Sequence, residues 1–146
     1  MDWKREAESK LRNYTAQKNS IHRTQDEVKR LQMTLTSIRS ATADGTPVAG
    51  GTNQREDALI NNIACQVELG RARAIAELGV QSIEGALADL DDEERLILDR
   101  FYIHRQKGHV ERLCEELHLD GASTVYWRRD KALKHFAVAL YGVTET

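Results

Sequence analysis

The side chains best suited to chemistry in this chain are the basic ones near its C-terminus. Residues 121–141 contain four basic residues and one acid, although the whole chain has a net charge of −2. Lys and Arg neutralise phosphates, and an Arg can also donate two hydrogen bonds to a guanine edge. The segment therefore indicates nucleic-acid binding by one helix. Its basic residues are Arg128, Arg129, Lys131 and Lys134.

The helical phase of this segment separates a core side from a DNA side. At ~100° per residue, five apolar residues share one side, namely Val125, Ala132, Leu133, Phe136 and Leu140. We predict that the other side contacts double-stranded DNA, with an Arg on a base edge and Lys on phosphates. The predicted contacts are Thr124, Arg128 and Lys131, flanked by Ser123, Tyr126, Trp127 and Lys134.

Two residues of this helix need separate interpretations. Trp127 has three alternatives: it packs on DNA sugars, it touches RNA polymerase, or it folds back onto the N-terminal helices. Arg129 lies closer to the core side, and we expect it to pair with an acid of the neighbouring helix.

Metal binding and catalysis have weaker support. Cys114 and His118 are one helical turn apart, a spacing that can hold a metal, but no second close Cys/His pair accompanies them. We interpret Cys114 as a core residue and Cys65 as a residue that packs in the seam between the N-terminal helices. The acids from Asp91 to Glu94 fit a helix start better than a cation site. Without a phosphate-binding glycine loop or a nucleophile set, the chain is predicted to be no enzyme, with no metal and no cofactor.

The N-terminal part of the chain is predicted to be largely helical and to support this helix. Apolar residues recur every seven positions at Ala7, Tyr14, Ile21, Val28 and Leu35, which is typical of a coiled-coil seam. A second row at Trp3, Leu31 and Ile38 has polar residues in its middle, Lys10, Gln17 and Thr24. The Gly- and Pro-containing stretch 40–53 predicts a loop. A second helix over 54–88 should then use Ile60, Ile63, Val67, Ala74 and Leu78 as its apolar stripe.

The C-terminal elements begin after Leu90. We predict a helix ending near Arg105–Gly108, a short helix over 110–119, a turn over 120–123, and a last helix capped by Gly142. The predicted fold class is all-α: a long helical hairpin over 1–89, including the loop 40–53, followed by a helix-turn-helix domain over 90–142. The expected core residues of the two supporting helices are Leu96, Phe101, Tyr102, Leu113, Cys114, Leu117 and Leu119.

The segments LDDEERLILDRFYIH, VERLCEELHL and STVYWRRDKALKHFAVALYG carry a family resemblance. Together they resemble a helix-turn-helix of the sigma-70 region 4 type, and within that class the phage late-gene transcriptional activators of the ArpU/RinA kind. The resemblance covers about a third of the chain. It implies a phage or prophage transcriptional regulator that activates late genes, with RNA polymerase as a second partner, near the nucleoid of a bacterial host cell.

Three hypotheses about function stay open at this point. The first is sequence-specific DNA binding by a homo-oligomer, expected to be a dimer. The second is a small terminase subunit, although such proteins usually place the DNA module first. The third is a sigma-like or anti-sigma adaptor that binds polymerase without DNA affinity. The chain has two distant cysteines and no apolar run near ~20 residues, which favours a cytoplasmic protein without a membrane partner.

Overall fold

A computed structural model describes residues 1–43 and 51–142 of the chain. Every regular element within these ranges is helical, so the predicted all-α class is confirmed, with a long N-terminal helical hairpin ahead of three shorter α-helices and one π-helical turn. The helices are α1 (Trp3–Ala43), α2 (Gly51–Ala88), α3 (Asp92–Leu98), α4 (His109–Leu117) and α5 (Ala122–Tyr141), and a π-helical turn (Asp99–Ile103) continues α3.

The loop predicted over 40–53 is too long at both ends. Helix α1 continues to Ala43 and α2 already begins at Gly51, while residues 44–50 lie outside the described residues. The extra turn of α1 contains two alanines, which have the highest helix propensity, and adding a residue to an existing helix needs no new nucleus. The change in hydrophobic pattern therefore comes before the last residues of α1 and after the first residues of α2.

The chain forms two compact units, each described by itself. The first unit joins residues 1–17 with residues 79–146, and the second consists of residues 18–78. Both long helices contribute to each unit. The domain boundary expected at residue 90 concerns which part of the chain folds independently, and it stays a prediction.

The core of the first unit draws on all of its helices. The predicted side chains Leu113, Val125, Leu133 and Phe136 are fully buried, as is Leu11 of α1, which the heptad pattern did not select. Phe101, Tyr102 and Ala132 are buried as expected, and the remaining predicted residues are half-buried against this core. They are Leu96, Cys114, Leu117, Leu119 and Leu140.

In the second unit the apolar stripe predicted for α2 is wrong. Ile60, Val67 and Leu78 are 64%, 56% and 66% exposed, and Cys65, expected in the seam, is exposed as well. The inner side instead buries Asn62, whose Nδ2 donates to the Leu31 carbonyl at 2.9 Å. The α1 seam agrees with its prediction, since its members in this unit are half-buried. Helix α2 has apolar residues on two opposite sides, and hydrophobicity alone selects the wrong one.

Helix α3 begins where the acid run predicts. Asp91 is its N-cap residue, and its Oδ1 accepts a hydrogen bond from the Glu94 backbone N–H at 2.8 Å. That hydrogen bond lowers the pKa of the Asp91 carboxyl below its ordinary value. The carboxylate satisfies one of the free N–H groups at the helix start.

Replacing Asp91 with Ala should lower the free energy of unfolding by about 1 kcal/mol at pH 7, because the capped N–H loses its partner. Since the pKa is lower in the folded state, the stabilisation is present above the unfolded pKa of about 4 and is lost as the pH falls below it. Urea unfolding at pH 7 and pH 3 measures both effects. Asp91→Asn is the matched control, since an amide oxygen still caps; an Asn variant as unstable as the Ala variant would contradict this role.

Candidate nucleic-acid interface

Helices α4 and α5 are joined by a four-residue turn, residues 118–121. His118 adopts the left-handed conformation (φ 54°) at the end of α4, and the Leu119 N–H donates to the Cys114 carbonyl at 3.0 Å. The turn predicted over 120–123 is therefore placed too late, because α5 starts at Ala122 after the N-cap residue Gly121. Ser123 then lies in the first turn of α5 rather than before it.

The buried and exposed sides of α5 separate as the helical phase predicts. Val125, Leu133 and Phe136 are completely buried in the first unit. Of the seven predicted contacts, two are half-buried, Thr124 and Arg128, and five are exposed. The exposed ones, called the outer face of α5 below, are Ser123, Tyr126, Trp127, Lys131 and Lys134.

Trp127 is the most exposed aromatic side chain in the described residues, at 63%. The alternative in which it folds back onto the N-terminal helices is therefore wrong. The Lys131 ammonium lies 5.4 Å from the centre of its ring, a cation–π distance. An apolar ring and a flexible cation thus stand together on the surface.

Arg128 and Arg129 have partners other than those expected. The Arg128 guanidinium forms an ion pair with Glu93 of α3, so it is Arg128 that pairs with the neighbouring helix. Arg129 pairs with Asp130 of its own helix, with Nη2 2.9 Å from Oδ1. Its guanidinium also lies 5.2 Å from the ring centres of both Phe101 and Tyr126. The expected partner for Arg129 was wrong because the rings offer its planar group a stacking surface.

Acidic side chains from the start of α3 border the outer face of α5. Glu93, Glu94 and Asp91 line a shallow cavity of about 240 Å³ together with Trp127 and Lys131. Glu94 also accepts a hydrogen bond from His135, with Nδ1 and Oε2 2.8 Å apart. The basic surface is therefore limited on this side by negative charge.

On the other side, Tyr126 connects the outer face to a basic cleft that the sequence analysis missed. The cleft, about 160 Å³, lies within the first unit and is lined by side chains of α1, the π-helical turn, the loop after it, α4 and α5, including Arg12, Arg105, His109 and Arg129. Burial raises the pKa of the Tyr102 hydroxyl in its wall to about 12, and that hydroxyl donates to Glu8 at 3.1 Å. The basic run IHRQKGH was a signal for Arg105, whereas nothing in the sequence linked Arg12 to it.

The cysteine and histidine pair does not form part of a larger cluster. Within residues 1–43 and 51–142, no group of three or more His, Cys, Asp or Glu side chains is arranged to hold a metal ion. Cys114 is half-buried and packs against the core.

Comparisons with known proteins return no match. No protein-family model, no curated protein and no solved structure matches the chain. In the part of the chain that the structure describes, no helix is long and apolar enough to cross a membrane. The features of the molecule that bear on function are therefore the geometry of α5 and its surroundings.

Proposed function

We propose that this protein binds double-stranded DNA and regulates transcription through the outer face of α5. One observation carries the proposal: a helix fixed in the core by Val125, Leu133 and Phe136 presents Trp127 and two lysines to solvent on its other side. A rigid helix with one basic exposed side is the form in which helix-turn-helix proteins enter the major groove.

The side chains of the outer face have distinct roles in this proposal. Lys131 and Lys134 bind phosphates, which gives affinity without sequence preference. Ser123 and Tyr126, near the start of α5, donate and accept hydrogen bonds at base edges, and Trp127 packs on the DNA backbone. Thr124, half-buried, contributes at the border of the surface. Arg128 is available to DNA only when it leaves Glu93.

The sequence resemblance supports a narrower proposal. We infer a phage-type regulator of the ArpU/RinA kind that activates late genes as a homo-oligomer in the bacterial cytoplasm, at the nucleoid and beside RNA polymerase. The short turn between α4 and α5 fits such a module.

Selection of bound sequences from random duplex DNA, followed by titration of the selected and a scrambled site at several salt concentrations, tests the proposal. We expect a selected consensus and an affinity that falls steeply with salt. Retention of RNA polymerase without any salt-sensitive DNA binding would contradict it and favour the adaptor hypothesis.

Replacing Glu93 with Gln should tighten DNA binding several-fold at low salt, because it removes a negative charge beside the outer face and releases Arg128. The gain should shrink as salt is added. Fluorescence anisotropy with the selected duplex measures it. Glu77→Gln is the matched control, since Glu77 pairs with Arg73 on α2. Unchanged or weaker binding of the Glu93 variant would show that the ion pair supports the DNA-bound state.

A further inference from the structure

The exposed apolar side of α2 is the largest unexplained feature of the second unit. Its main members, Ile60, Ile63, Val67, Ile75 and Leu78, are between 45% and 66% exposed. They share one side of the helix with Ala64, Arg71 and Ala74, opposite the side that buries Asn62. These eight residues are called the outer row of α2 below.

The outer row has the size and spacing of a helix-packing surface. Its apolar side chains expose on the order of 500 Å² per chain, at the upper end of what isolated proteins leave uncovered. Residues 60, 67 and 74, and residues 64, 71 and 78, are spaced by seven, which is the repeat of a coiled-coil seam. The partner that fits this repeat is another helix.

The outer row is symmetric about residue 69. When two copies of α2 run antiparallel around a two-fold axis at that residue, residues whose numbers add to 138 lie at the same height along the paired helices. Ile60 then meets Leu78, while Ile63 is level with Ile75, and Ala64 with Ala74, on opposite edges of the contact. Large side chains are level with large ones and small with small, which is the self-complementarity that a two-fold interface requires.

The one charged member of the outer row also finds a partner in this arrangement. Arg71 faces Val67 of the second copy and lies beside the second copy's Glu68. Within the described residues, neither Arg71 nor Glu68 has an ion-pair partner in its own chain. Beside the axis, a Cβ added at Gly70 would meet no atom within 4 Å, so the backbones are free to approach.

We propose that the outer row of α2 is the dimer interface of this protein, occupied by α2 of a second copy in antiparallel orientation. The proposed function includes a homo-oligomer, and the inferred interface rests on that component of it. It does not depend on DNA binding. The α1 seam is then used inside each chain, and the outer row of α2 is used between chains.

Sedimentation of the full chain without DNA tests the interface. The wild type should sediment as a dimer at tens of micromolar, and Ile63→Glu combined with Ile75→Glu should be monomeric, with a dimer Kd raised at least ~100-fold, because two charges per chain then lie in an apolar interface. Helicity by circular dichroism should not change, since both residues are exposed. Met33→Glu, at a 72% exposed position on α1, is the matched control and should stay dimeric.

A charge exchange tests the antiparallel register. Arg71→Glu should weaken the dimer by placing a like charge beside Glu68 of the second copy, and adding Glu68→Arg should restore it. A monomeric wild type at 100 micromolar (an order-of-magnitude ceiling for a stable dimer), a dimeric double-Glu variant, or no rescue by the exchange would each overturn the proposal. A dimer that does not retain DNA would count against the proposed function alone.

Discussion

Replacing Leu11 with Ala should lower the free energy of unfolding by about 2–5 kcal/mol, the range for removing a fully buried Leu side chain. Leu11 has no exposed surface, although it lies on α1 and, apart from Ala7, the other buried members of the core that it joins are far from it in sequence. Its removal leaves a cavity in a close-packed core, whose other side chains cannot move far to fill it. Urea unfolding followed by circular dichroism measures the loss.

Met33→Ala is the control for Leu11→Ala. Met33 also lies on α1 but is 72% exposed, so its truncation should change the unfolding free energy by no more than ~0.5 kcal/mol. If Leu11→Ala were equally harmless, α1 would not complete the core of the first unit, and the C-terminal helices would be stable without it.

Removing both lysines of the outer face of α5, by Lys131→Ala and Lys134→Ala, should weaken DNA binding roughly 30-fold at ~0.15 M salt and lower the slope of log K against log salt by about two units. The loss should be similar for selected and scrambled duplexes, since lysines on phosphates do not read sequence. Adding Trp127→Ala should weaken binding further, since the apolar contact of the ring with the DNA backbone is then lost. Anisotropy titrations at four salt concentrations measure these values.

Lys29→Ala is the control for the lysine variants, because Lys29 is an exposed lysine on α1 in the second unit. It removes one positive charge without touching the outer face of α5. All variants should keep wild-type helicity, as none of the replaced side chains is buried. A double-lysine variant that binds like the wild type at every salt concentration would place the DNA surface elsewhere, with the basic cleft around Arg105 and Arg129 the next surface to test.

The sequence by itself determined the features that depend on neighbouring residues. The helices follow from hydrophobic period and composition. Asp91 was identifiable as a helix cap because acids at a helix start satisfy free N–H groups of the next turn. The prediction of the core side of α5 was also correct, with Val125, Leu133 and Phe136 buried. A helix with a single apolar side can pack on its neighbours in only one orientation.

The tertiary structure decided the features that depend on distant residues. Helix α2 has two apolar sides, and only packing shows that the side containing Asn62 faces inward while Ile60 and Leu78 remain exposed. The partners of Arg128 and Arg129 differ from those expected, since one residue turns an α-helix by ~100° and long side chains reach in several directions. The position of Leu11 in the core also depends on distant residues. The packing of the whole chain decides which helix covers a given surface, and the local hydrophobic period of the sequence does not specify that choice.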